Sequence, residues 1–212
     1  MTALRIAVAN QKGGTGKTTL TVNLAAGFLL RGKTLVLDAD PQGSAGHWAW
    51  VGGADSGLPP IERVDAAAVR TRIKQAAGAN RYVLIDCPPH LESDVLGQVM
   101  GAVDLLLIPV QPSPLDLWAS VDMTAAVLEA RAGNPQLRAY MVLNQLDERN
   151  ALSRSMHEAL GVFEVPALTN GLVRRAAFRN AAIEGNSVYG LGKRGARAAQ
   201  DVEAIIEEVL SL

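Results

Sequence analysis

Three glycines, two lysines and three threonines fall within residues 10–19, NQKGGTGKTT. Residue types in this spacing build a site for phosphate. Gly13, Gly14 and Gly16 let backbone N–H groups approach anionic oxygens with no Cβ in the way, and the start of a following helix adds a favourable partial charge. Lys17 can reach β- and γ-phosphates, and Thr18 offers a hydroxyl to Mg²⁺. With Thr15 and Thr19 they make the expected nucleotide-binding stretch. It departs twice from the pattern G-x-x-x-x-G-K-[ST]. Gln11 stands at the first glycine position, and Lys12 puts a second cation inside the loop.

Carboxylates supply the rest of the chemistry. LVLDADPQG places Asp38 and Asp40 at the end of an apolar strand, and YVLID ends another in Asp86. Open α/β sheets bind ligands at the carboxyl ends of their strands, and an aspartate there suits Mg²⁺, held directly or through water. Loop and aspartates in this order specify nucleoside triphosphate binding. His47, His90 and His157 are scattered and offer no strong general base. Phosphoryl transfer needs none, because it relies mainly on positioning and electrostatics.

Five strands are expected to carry these groups, over 4–10, 34–40, 82–86, 104–110 and 138–144. Most are near-continuous apolar runs, the pattern of parallel strands covered on both faces. Helical patterns occupy 17–31, where Leu20, Leu24 and Phe28 recur every four residues, then 66–78 and 115–131, and after Asn144 the pattern turns more helical, ending in DVEAIIEEVLSL. The expectation is an α/β fold, a P-loop NTPase with a mostly parallel central sheet flanked by helices, in one domain over 1–212. Residues 51–60, VGGADSGLPP, read as the most flexible loop. Lys+Arg 20 against Asp+Glu 21 leaves no global charge to announce a nucleic-acid or membrane partner. The lone cysteine, Cys87, excludes an intramolecular disulfide and a Cys-rich metal site. No signal peptide and no run long enough to cross a bilayer are evident, so a cytoplasmic protein is expected.

The combination K-G-G-T-G-K-T-T resembles the deviant Walker A motif of the ParA/MinD family of ATPases, and the likeness extends over nearly the whole chain. DADPQGS resembles that family's switch I, IDCPP its switch II, VQPSPLDLWAS a proline-rich stretch of small ParA proteins of the ParF type, and AIEGNSV a late signature. The resemblance implies an ATPase using ATP and Mg²⁺. It makes Lys12 a residue that crosses a homodimer interface to the partner's phosphates. It assigns Asp40 to the attacking water, Asp86 to switch II, Asp38 to the Mg²⁺ shell beside Thr18 and Asp86, and Asn144 to the adenine. The loop at Pro112 and Pro114 would flank the base or the dimer contact. Trp48, Trp50 and Trp118 are expected in the core or an interface.

Two partner surfaces can be weighed. The last helix carries Asp201, Glu203, Glu207 and Glu208 beside an apolar side of Val202, Ile205, Ile206, Val209 and Leu210. An acidic helix is repelled by anionic lipid, so its apolar side is expected on the core and no membrane contact is expected. Residues 171–197 hold Arg174, Arg175, Arg179, Lys193, Arg194 and Arg197 against Glu184. Small ParA proteins use basic residues here for non-specific DNA, which implies nucleoid association and a separate ParB-like or cargo adaptor protein. The expected function is to partition or position a plasmid, a chromosome region or a protein cargo. Alternatives on the same fold are a MinD-like regulator and an ATP-dependent small-molecule ligase or kinase. A nitrogenase-reductase-like electron carrier is excluded, since one cysteine cannot supply two cluster ligands per chain.

Overall fold

The computed structural model describes residues 3–54, 56–89, 94–147 and 149–212; His90 lies outside them. Among the described residues six strands, rather than five, form one parallel sheet. They are β1 (Leu4–Val8), β2 (Thr34–Asp38), β3 (Ile61–Arg63), β4 (Tyr82–Asp86), β5 (Leu105–Val110) and β6 (Arg138–Leu143), in the order β3-β2-β4-β1-β5-β6. The unforeseen β3 has three residues and pairs only with β2 at the sheet edge, too short to show a period. Two expected strands run long because Ala9 and Ala39 each still donate one last backbone bond to a neighbouring strand, and Asn10 and Asp40 stay buried after it. Burial continues there in loops, while the ladder does not.

Helices cover both faces: α1 (Lys17–Leu29), α2 (Ser44–Gly52), α3 (Val69–Ala77), α4 (Asp94–Met100), α5 (Pro114–Gly133), α6 (Ala151–Leu160), α7 (Ala176–Ile183) and α8 (Ala196–Ser211). Alternation along the strands divides the core. Ile6, Val8, Val36, Leu84 and Leu107 pack in the layer with Leu24 of α1 and Ile205 of α8, whereas Ala7, Leu37, Ile85 and Leu106 pack in the layer with Ile73 of α3 and Val127 of α5. The sequence pattern missed α2 and α4. Helix α2 also claims the first two residues of the expected loop 51–60. Only Ala45 and Trp48 of α2 are buried, too few to print a helical period.

Helix α5 starts where its sequence directs. Pro114 takes the first turn, which has no use for its missing N–H, and Ser113 Oγ accepts the Asp116 N–H at 3.2 Å. Helix α8 buries Val202, Ile205, Ile206 and Val209 as expected, but Leu210 is 47% exposed. Trp48 is in the core and donates its indole N–H to the Asn186 carbonyl at 2.8 Å. Trp50 and Trp118 are exposed, not core.

Helix α2 meets the end of α7 at two glycines. Gly185 has φ +61, and a Cβ there would lie 2.0 Å from the Gly52 nitrogen. Gly185→Ala should therefore cost about 2 kcal/mol or more through strain and overpacking. Calorimetry of the nucleotide-free chain should show the thermal midpoint falling by roughly 4–8 °C.

Candidate nucleotide-binding site

Register gathers the site. Val8 and Asp38 each pair with Asp86, so the glycine loop after β1 and both acidic strand ends open on the same edge of the sheet. Gly14 (φ 76) and Gly16 (φ 93) are left-handed, and a Cβ on Gly16 would meet Asn144 Nδ2 at 2.2 Å. Gly13 and Gly14 have nothing within 4 Å of a Cβ, which leaves their backbone open toward a ligand. Thr15 is buried beneath the loop.

Lys17 is buried, with Nζ donating to the Lys12 carbonyl at 3.1 Å. Burial lowers its pKa, while Asp86 and Asp40 act to raise it. Thr18 Oγ1 donates to Asp86 Oδ2 at 2.7 Å, and Thr21 Oγ1 donates to Asp86 Oδ1 at 3.2 Å. Burial pushes the Asp86 carboxyl up to about 7; the Thr18 hydroxyl opposes this, Asp38 adds to it, Thr21 opposes it and Asp40 adds again. A carboxylate this poorly solvated is a strong receptor for a cation brought in with a ligand.

Asp38 is also fully buried, but its oxygens accept backbone N–H groups of Asp40 (3.2 Å) and Gly46 (2.9 Å). It shapes the turn from β2 into α2, and burial raises its pKa. Asp40 Oδ1 accepts the Gln42 N–H at 2.9 Å. Asp40 lines a cavity of about 450 Å³ with Gly13, Gly14, Lys17 and Thr18. This lobe shares Gly16, Thr19 and Gln145 with a second, of about 550 Å³, lined by Asn144, Asp147, Arg174 and Phe178 among others. The two make a continuous groove, polar at the glycine loop and mixed beyond it. Among the described residues no cluster of three or more His, Cys, Asp or Glu could hold a metal alone. Mg²⁺ does not require one, because with a nucleotide it takes one or two protein oxygens and fills its shell from phosphates and water.

Both departures from the standard loop point to α5. Gln11 Nε2 donates to the Ala119 carbonyl at 3.0 Å and to Asp122 Oδ2 at 3.1 Å, and Lys12 Nζ bonds Asp116 Oδ2 at 2.6 Å. A glycine at position 11 could not make the first contact. Asp116 was not legible as a site residue, although its place three residues after the capping Ser113 marked it as part of a helix start. Asn144 does not reach outward alone: its Nδ2 donates to the Thr15 carbonyl at 2.6 Å and its Oδ1 accepts the Gln145 N–H at 2.8 Å. It braces the loop against the end of β6.

The expected DNA residues divide. Arg175 pairs with Asp201 at 2.6 Å, and Arg194 pairs with Glu184 at 2.9 Å. Asp201 lies just beyond the basic segment, so the segment's net charge overstates its free cations. Arg174, Arg175 and Arg179 line the second lobe of the groove. Lys193 and Arg197 are exposed and do not line either lobe. His47 and His157 are exposed.

The sequence matches the CobQ/CobB/MinD/ParA nucleotide binding domain over residues 6–188. It is 43% identical to the maintenance of carboxysome distribution protein A of Halothiobacillus neapolitanus, covering 98% of this chain and 97% of that one. It is 33% identical to the chromosome-partitioning ATPase Soj of Thermus thermophilus, over 74% of this chain and 75% of Soj. The chain belongs to the ParA/MinD family of ATPases. An ATP complex of Cyanothece McdA shares the fold, with a TM-score of 0.74 at 18% identity over 98% of this chain and 96% of that one.

The groove fits the Mg²⁺ nucleotide of a ParA/MinD ATPase. Thr18 Oγ1 donates a hydrogen bond to Asp86 Oδ2, which leaves its oxygen lone pairs able to face Mg²⁺. In the nucleotide-free chain the same arrangement has a cost. The Asp86 carboxyl holds its proton up to about pH 7 when folded, against 3.8 ordinarily. Its burial therefore weighs little below pH 4, grows as pH rises from 4 to 7, and is fully felt above 7. Asp86→Asn should raise the thermal midpoint at pH 8 by about 4–16 °C, from roughly 2–4 kcal/mol of relieved burial, and much less at pH 5. Mg²⁺ with nucleotide should no longer stabilise the variant. A variant less stable than the parent at pH 8 would contradict this account of Asp86.

Proposed function

We propose that the chain is an ATP-switched homodimer that binds DNA non-specifically and, with a separate adaptor protein, positions a protein cargo of the carboxysome class. The observation that carries the cargo reading is length. The carboxysome distribution relative aligns end to end with this chain, whereas the partition ATPase aligns over three quarters of both. Nucleoid association and the adaptor rest on the family resemblance and on the exposed cations of residues 171–197.

In this mechanism ATP and Mg²⁺ occupy the groove and supply the phosphoryl group and its countercharge. Lys17 and the loop N–H groups hold the phosphates, Thr18 and Asp86 orient the metal, and Asp38 fixes the turn that carries Asp40. Asp40 positions water for attack. Lys12 acts on the other subunit, and its ammonium, turned to α5 and away from its own cradle, supports that role. A cation from the partner favours the dimer while the triphosphate is intact, and hydrolysis removes that advantage.

Titration with labelled ADP separates the two lysines. Lys17→Ala should lose ADP affinity by about 100-fold, the loss of a charged, partly desolvated contact. Lys12→Ala should bind ADP within about threefold of the parent, because a trans group leaves the monomer site intact. Equal losses would place both lysines in one subunit's site.

DNA binding should need ATP, since dimerisation doubles the cations presented to one duplex. If four phosphates are neutralised, affinity on random duplex falls about 100-fold between about 50 and 200 mM salt. Lys193→Ala with Arg197→Ala should flatten that slope and leave DNA-free turnover intact, because both lie away from the groove. Binding that is equal with ATP, ADP and no nucleotide would remove the nucleoid from the function.

A further inference from the structure

Asp116 is a buried carboxylate that the phosphate chemistry does not use. Its side chain is 1% exposed, and its charge meets Lys12 Nζ at 2.6 Å, with Lys12 36% exposed. Ser113 Oγ contacts the same oxygen, Oδ2. The other oxygen, Oδ1, is buried and has no hydrogen-bond partner among the described residues. An ionised carboxylate in that setting depends on its one cation, and removing the cation leaves an uncompensated buried charge. Lys12 spends one of its three N–H donors on Asp116, and a swing of its side chain off α5 to a partner's phosphates would draw Nζ away from that 2.6 Å contact.

We propose that Asp116 is a positioning residue for Lys12: it holds the lysine against α5 in the free chain and so sets the ATP concentration at which the dimer forms. The proposal rests on the cross-subunit role of Lys12. Each dimer must break two such pairs, one per chain, and the triphosphate must repay both. ADP, with less charge at the mouth of the site, repays less. The Lys12–Asp116 pair therefore sharpens discrimination between nucleotides by opposing association until a full triphosphate is present. Gln11, which grips the Ala119 carbonyl one turn further along, keeps the loop seated on α5 while Lys12 moves.

Asp116→Asn is the test. It preserves size and the hydrogen-bonding role at the start of α5 and removes only the charge. Asp122→Asn is the control, because it removes a nearby carboxylate that bonds Gln11 and not Lys12. Two readouts are taken on the full chain: the rate of Lys12 acylation by an amine-reactive ester without nucleotide, followed by mass spectrometry, and the ATP dependence of dimerisation by light scattering. Asp116→Asn should label Lys12 about tenfold faster and lower the half-maximal ATP concentration by about tenfold or more. Asp122→Asn should match the parent in both. A shift in labelling with no ATP-dependent dimer in any chain, parent included, supports the hold on Lys12 and contradicts its cross-subunit use. Unchanged Lys12 labelling in Asp116→Asn, or equal shifts in the two variants, overturns the proposal.

Discussion

A buried carboxylate must be compensated, and two of those in this fold, Asp86 and Asp116, flank one glycine loop. Asp86 ends β4 with no exposure, and Asp116 sits in the first turn of α5 with none. The loop between them carries two lysines. Lys17 lies in the field of Asp86, and Lys12 is bonded to Asp116. The second lysine, surplus to an ordinary phosphate loop, is thus matched by a second carboxylate. Its pairing is intramolecular in the free chain. In the proposed dimer that pairing is exchanged for the partner's phosphates, and the exchange is how nucleotide governs association.

The rest of the architecture holds these charges in register. Strand pairing fixes Asp38 and Asp86 side by side, and Asn144 at the end of β6 clamps the loop through the Thr15 carbonyl. Helix α2 begins where Asp38 accepts the Gly46 N–H and lies against α7 through Gly52 and Gly185. The turn that carries Asp40 is therefore packed, through one short helix, on the segment bearing Arg174 and Arg179.

Much of this is legible in the sequence alone. Apolar runs ending in aspartate located β2 and β4, and the glycine spacing located the loop, because both signals are strictly local. The strand β3 and helix α2 were not legible: three residues at a sheet edge and a glycine-containing helix with two buried residues leave no period. Asp116 was hidden for a different reason. In sequence it is one carboxylate in a helix cap, and only the approach of a loop more than a hundred residues away makes it the partner of Lys12. The basic segment misled by count, since Asp201 lies outside it and pairs with Arg175. Charge read in a window misses a partner one helix further on.

Whether nucleotide controls association through Lys12 depends on which subunit's phosphates that lysine meets. An ATP analogue carrying an acyl phosphate at its γ end transfers the acyl group to lysines in contact with that phosphate. Acylation of Lys17 and Lys12 can be followed separately by mass spectrometry across a range of protein concentrations at saturating analogue. Lys17 should be acylated at a rate independent of protein concentration, while Lys12 acylation should rise from near zero as the chain is concentrated through its dimerisation range. Lys12 acylated as fast in dilute as in concentrated solution would show that it reaches its own phosphates, and the cross-subunit account would be wrong.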